Sequence, residues 1–328
     1  MNLRARSASP WTRPLCHSRF YSSQGHARPY TFHIGASFIG KPDWGDDPRG
    51  IPPAMTIPFR DKMLSWKREI PSVSAGHDFF YVQEGLSIGV ADGVGGWGDI
   101  LDPSLFSQAL MYYAARCASS GWPGEPERDP TLDEHLDEAL GTETPPVTCM
   151  ERAYKSVMED DGLLGDAPTL FCLVASLGDS GFYIIRGQTV LYKTPVQTHY
   201  FNCPRQLSKL PKGYPLHSRL QDTPQDAVQY ATRLHHGDII IAYTDGLSDN
   251  VFDGETLGYT LSIMRRPNTD TEKAQYLADF LVLHARRCMY DFGRVSPFEI
   301  EWAEHRKEKR VNRGGKIDEC VINWLKVS

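Results

Sequence analysis

The sequence has no C-x-x-C pair, no run of about 18 apolar residues and no excess of basic charge, and each absence removes a class of protein. Seven cysteines without paired spacing make neither a zinc-binding set nor a disulfide framework, so they read as reduced thiols, those in strand-like runs (Cys172, Cys320) as core. No membrane-spanning helix is expected. A formal net charge of −6 argues against a nucleic-acid binder that works by neutralising phosphates. Internal repeats and long linkers are also missing after residue 31, so the remainder reads as one domain. With 328 residues, 41% of them hydrophobic, the chain can bury a sizeable core.

Acidic residues are absent before Asp43, while Arg4, Arg6, Arg13, Arg19 and Arg28 alternate with serines. That is the composition of a mitochondrial transit peptide; a secretory signal would need an apolar core. "RFYSS" (19–23) resembles a matrix-processing site with the cut after Tyr21. The expectation is a transit peptide at 1–21, a folded domain at 22–328 and residence in the mitochondrial matrix. The Pro- and acid-rich stretch 121–147 reads as a surface insertion, with a short helix near 132–140.

"DFFYVQ" and "LSIGVA" read as strands joined by a turn at Glu84-Gly85. Asp102 can cap a helix that Pro103 opens, and apolar periodicity predicts further helices over 149–158 and 271–290, the latter with Tyr276, Leu277, Phe280, Leu281 and His284 on one side. The block 168–193 reads as strands with turns at 178–181 and 186–188. "GDIIIAY" and "CVINWLKV" add two more. Antiparallel strands bracketed by helices predict a layered α+β domain.

"VADGVGGWG" satisfies G-x-G-x-x-G through Gly93, Gly95 and Gly98, yet the helix that a dinucleotide fold needs at the glycines begins only at Pro103, and Asp92 would face a pyrophosphate with like charge. The stretch has better company. "YTDGLSDN" sets Asp245 before Gly246 and Asp249 four residues on; "LGDSG" sets Asp179 in a turn; "GKIDECV" sets Asp318 just before the last strand. Each alone is a common turn. Together, at strand ends, they can meet at one sheet edge, where carboxylates repel unless cations compensate, and all-oxygen ligands favour Mg²⁺ or Mn²⁺. Glycine after the aspartate would let a carbonyl approach an ion and allow unusual backbone angles.

"VADGVGGW", "SLGDSGFYIIRG", "TDGLSDN" and "RGGKIDECVINW", in that order, resemble the type 2C (PPM) metal-dependent protein serine/threonine phosphatases, and "HYFNCPRQL" (199–207) with "YDFGRVSPF" (290–298) is similar to the mitochondrial branch. The resemblance implies a β-sandwich of two antiparallel sheets flanked by α-helices, two Mg²⁺ or Mn²⁺ ions on one edge and phosphoprotein substrates, in a monomer. Carried over residue by residue, it implies that Asp92 bridges both ions, the Gly93 carbonyl ligates one, Asp245 and Asp318 hold the second, and Asp78 of "GHDFF" acts through water. Asp179 with Asp245 matches a third, weaker metal position and Asp249 an outer acid. Catalysis is expected to depend on Asp92, Asp245 and Asp318, with the ions activating water for in-line attack on phosphorus.

The sequence departs from the family pattern at His77, where an acid is usual; at Val94, where many relatives carry a histidine; and at Glu319, in place of Asp or Asn. Those departures define the alternative, a phosphatase-like scaffold that binds a partner. The phosphate-binding cation is sought before Asp78, at Lys67 or Arg68. His235 and His236 read as turn residues, and the 304–310 run "EHRKEKR" as a solvated face, with a docking site for an acidic partner as the alternative.

Overall fold

The computed structural model describes residues 31–41, 53–66, 74–83, 87–95, 102–120, 145–160, 163–171, 175–211, 222–230, 232 and 234–328. Their strands are β1 (Phe32–Ile39), β2 (Phe79–Gln83), β3 (Ser87–Ala91), β4 (Gly165–Ala167), β5 (Thr169–Phe171), β6 (Ala175–Leu177), β7 (Gly181–Arg186), β8 (Thr189–Lys193), β9 (Thr198–Tyr200), β10 (Cys203–Pro204), β11 (Leu207–Lys209), β12 (Val228–Gln229), β13 (Ile239–Tyr243) and β14 (Cys320–Val327). The helices are α1 (Ile57–Leu64), α2 (Pro103–Ser120), α3 (Pro146–Glu159), α4 (Asp245–Ser248), α5 (Asp253–Met264), α6 (Asp270–Met289) and α7 (Pro297–Arg306). The proposed leader, residues 121–144 of the insertion, the 84–85 turn, Lys67, Arg68, Gly98 and Cys172 lie outside the described residues.

Two five-stranded sheets dominate, ordered β1-β14-β13-β7-β8 and β12-β6-β5-β3-β2. Neighbouring strands in both are antiparallel. Side chains alternate across a strand, so one strand can feed two cores. Along β13, Ile240 and Ala242 enter the core between the sheets, part of one apolar cluster with Phe38, Phe80 and Val90 that continues to residues of α2 and α3. Ile239, Ile241 and Tyr243 face the other way, into a second core with Trp324 and residues of α5 and α6. The unbroken apolar run of "IIIAY" follows from burial on both faces. The resulting order is helices, sheet, sheet, helices: the expected α+β sandwich.

Local chemistry sets the helix ends. The Asp102 carboxylate accepts from the Ser104 amide at 3.0 Å and from its hydroxyl, so α2 starts where the capping pattern predicts. Thr269 and Glu272 form a capping box that opens α6, and Arg286 and Arg287 close it. The face expected on α6 is divided: Leu277 and Leu281 are fully buried, whereas Tyr276 is 41% exposed and stacks with Phe280 along the α5 side. A Cβ at Gly35 of β1 would stand 2.3 Å from the Ala274 backbone, so helix and strand meet without an intervening side chain.

Candidate functional site

Strand register carries the acidic residues to one edge of the sandwich. Phe79 pairs with Ala91, so Asp78, just before β2, and Asp92, just after β3, leave their sheet side by side. In the other sheet Tyr243 pairs with both Gly181 and Ile322. Asp179 before β7, Asp245 after β13 and Asp318 before β14 therefore emerge together. The expected acidic turn at 245–249 is a single helical turn, α4, which sets Asp249 beside Asp245.

Both Asp-Gly pairs are close backbone contacts. A Cβ at Gly93 would lie 2.2 Å from the His77 carbonyl oxygen, and one at Gly246 would lie 1.7 Å from that of Glu319. Neither glycine has a positive φ. The expected need for unusual backbone angles is thus corrected: glycine stands here because the segment bearing one aspartate touches the segment bearing the next. Gly178, before Asp179, is the contrasting case, left-handed at φ +98°.

Crowding shows in the electrostatics. Burial, then Asp245, Asp78, Asp179 and Asp318, push the Asp92 carboxyl well above the usual range. Burial together with Glu319, Asp318 and Asp245 does the same to Asp78, against a hydrogen bond from Thr244. Asp179 is pushed up to about 7 by burial and Asp245. Asp249 is raised by burial, with Lys316 opposing. Buried Asp78 Oδ2 and Asp179 Oδ1 accept no hydrogen bond.

Two lysines that sequence reasoning passed over lie among these acids. Lys316 Nζ donates to Asp245 Oδ2 and, at 2.7 Å, to Asp249 Oδ2, and stands 3.3 Å from Asp318 Oδ2. Lys41 Nζ lies 2.9 Å from Asp318 and 2.8 Å from Glu319. Against the cost of burial, these cations hold Asp318 down at about 2, while burial lifts Glu319 to about 7. His77 Nδ1 is 3.6 Å from Glu319, so two of the departures from the family pattern are neighbours. A basic residue two places before an aspartate was the available signal for Lys316; Lys41 sits far away in sequence and gave none.

Two neutral residues brace the edge. Thr244 Oγ1 accepts from the Val321 amide at 3.0 Å, tying β13 to β14. Asn250 Nδ2 donates to the carbonyls of Gly246 and Lys316, fastening α4 beneath the lysine. Gly315 is needed there, because a Cβ would meet Asn250 Oδ1 at 2.5 Å.

The donors are carboxylate and carbonyl oxygens, the set suited to a hard divalent ion. Unpartnered Asp78 and Asp179 oxygens, and a Gly93 backbone with no room for a side chain, fit such a group. Among the described residues, no three His, Cys, Asp or Glu side chains are already posed to hold one ion. The Lys316 ammonium stands between Asp245, Asp249 and Asp318 and supplies the compensating charge. The α2 helix begins at Pro103, well after Gly93 and Gly95, so a dinucleotide cradle is not built at these glycines.

No family model matches the chain. The protein phosphatase PTC7 homolog of Xenopus laevis is 33% identical over 252 residues, 72% of this chain and 74% of that protein. The protein phosphatase PTC7 homolog of Homo sapiens is 33% identical over 250 residues, 72% of this chain and 73% of that one. Among solved structures, the photosystem II phosphatase PBCP matches with a TM-score of 0.61 at 24% identity, over 90% of this chain and 99% of its own, a likeness of fold.

Proposed function

The chain belongs to the type 2C (PPM) family of protein serine/threonine phosphatases, and from that premise we propose that it removes phosphate from serine and threonine of mitochondrial matrix proteins with two Mg²⁺ or Mn²⁺ ions. Convergence of Asp78, Asp92, Asp179, Asp245, Asp249 and Asp318 on one sheet edge is the observation that carries this reading. Asp92, the Gly93 carbonyl, Asp245 and Asp318 would hold the two ions, with Asp78 acting through water, Asp179 offering a third position and Asp249 an outer acid. When bound, the ions supply Lewis-acid activation of water and neutralise phosphoryl charge.

The chain's own residues do the rest. Lys41, 29% exposed at the rim, is the described cation placed to draw in a phosphoryl group, a role sought by sequence at Lys67 or Arg68. Thr244 and Asn250 hold the acid-bearing segments in register. Val94 offers no proton, so the leaving alkoxide takes its proton from water. The arginine-rich, acid-free 1–42 supports mitochondrial import, with cleavage after Tyr21 and one catalytic domain from 22 onward.

The test is Mn²⁺-dependent hydrolysis of a phosphothreonine peptide by the purified chain from residue 22. Turnover should vanish with chelator and fall at least about 100-fold in Asp245→Asn. Full activity of Asp245→Asn would overturn the site assignment. A fluorescent fusion of residues 1–42 that stays cytosolic would overturn the address.

A further inference from the structure

The run that reads by sequence as a solvated face is joined to the site. Helix α7 begins beside it: the Phe298 amide donates to the Asp249 carbonyl at 3.0 Å, and Lys316 Nζ lies 5.5 Å from the Phe298 ring centre. At about 1.5 Å per residue, the ten residues of α7 carry the chain about 15 Å away before residues 307–315 return it to Lys316. Residues 304–313 hold five Lys or Arg against two Glu, in a chain whose net charge is −6.

The strip is fixed in place. Lys307 takes the left-handed conformation at φ 56°, and the Glu308 amide donates to the Ala303 carbonyl at 2.9 Å, turning the chain back. At the other end the Gly314 amide donates to the Arg294 carbonyl at 2.8 Å, and Arg313 Nη1 to the Gly293 carbonyl at 2.7 Å. Arg306 is paired with Glu308 at 3.1 Å. Lys307, Lys309 and Arg310 are exposed and form no ion pair with any described residue.

We propose that Lys307, Lys309 and Arg310 form a docking strip for acidic residues flanking the phosphorylated serine or threonine of a substrate protein, a proposal that rests on the phosphatase reading. An extended peptide advances about 3.3 Å per residue, so a strip set off from the site by the about 15 Å of α7 matches Asp or Glu four or five residues from the phosphate. Inward-facing carboxylates line the site, and a net-negative chain repels an acidic phosphopeptide elsewhere. A local basic track offsets that repulsion where the substrate enters.

The experiment compares two phosphothreonine peptides that differ only in flanking residues, acidic or neutral, on the wild type and on Lys307→Glu/Lys309→Glu/Arg310→Glu, with p-nitrophenyl phosphate as a substrate without flanks. The wild type should favour the acidic peptide by about tenfold in kcat/KM, mainly through KM, with the preference fading as salt rises. The triple variant should lose the preference and keep its thermal midpoint and its p-nitrophenyl phosphate kinetics. Equal kcat/KM on the two peptides, with p-nitrophenyl phosphate turned over normally, overturns this proposal alone; no metal-dependent turnover of any substrate overturns the phosphatase reading beneath it. Binding of the strip to phosphatidylserine vesicles without any peptide preference also overturns it, in favour of a membrane role.

Discussion

Replacing Gly246 by alanine tests the close backbone contact that brings Asp245 to Asp318. The added Cβ would lie 1.7 Å from the Glu319 carbonyl oxygen, 2.8 Å from its carbon and 3.2 Å from Cys320 Cα. Ordinary separation is about 3.5–4 Å, so α4 and the 318–320 segment must part by about 2 Å. Both sides are backbone, and β14 is held between β1 and β13, so neither can rotate away as a side chain would. Overpacking of this kind costs about 1–3 kcal/mol, and the rigidity of both partners puts the cost at the upper end. The thermal midpoint should fall by about 5–10 °C by circular dichroism, with Mn²⁺-dependent turnover lost as Asp245 and Asp318 separate. Gly254→Ala in α5 is the control: a Cβ there meets nothing within 4 Å, and stability should hold or rise by up to about 1 kcal/mol. If Gly246→Ala melted like the parent and kept its metal-dependent activity, the backbone contact at Gly246 would not be what holds Asp245 beside Asp318.

Other consequences follow from the same geometry. Buried Asp238 accepts from Arg186 Nε at 2.8 Å, Arg186 Nη2 at 2.7 Å and the His235 amide at 2.7 Å, which together, against the cost of burial, hold its carboxyl below the usual range. Its contribution is therefore present above pH about 4 and lost as pH falls through the lowered folded value; Asp238→Asn should cost about 2 kcal/mol at neutral pH in urea titrations, discounted for the half-exposed arginine, and flatten the acid limb. Lys316→Met should lower the melting point of metal-free protein, by stranding Asp245 and Asp249, and raise Mn²⁺ affinity in calorimetry by removing a competing cation; unchanged affinity would refute the competition. Trp324→Ala, at a fully buried position in the core under α6, should cost about 3–5 kcal/mol in chemical unfolding.

The sequence alone determined the three longest helices, the strands that carry the acids and the identity of the acids, while β1, α1, α5 and α7 went unread. Apolar runs, 3.6-residue periodicity, the Asp102-Pro103 helix start and the 186–188 turn are local signals, read from neighbours in the chain and found as strands, helices and the β7–β8 hairpin; the 178–181 turn instead leads from β6 in one sheet to β7 in the other. Asp92, Asp245 and Asp318 were legible because an acid at the end of an apolar run is a local anomaly. Tertiary structure decided what those residues do to one another. Strand register, a long-range property, sets Asp78 beside Asp92 and Asp179 beside Asp245. Lys41 reaches Asp318 from the opposite end of the chain, an encounter no spacing foretells. Gly93 and Gly246 looked like turn residues, and only the packed fold shows that their missing side chains let two backbones touch. Local sequence specifies backbone preference and polarity; contact between distant segments is specified by which faces are buried together, and that emerges only when both sheets are assembled.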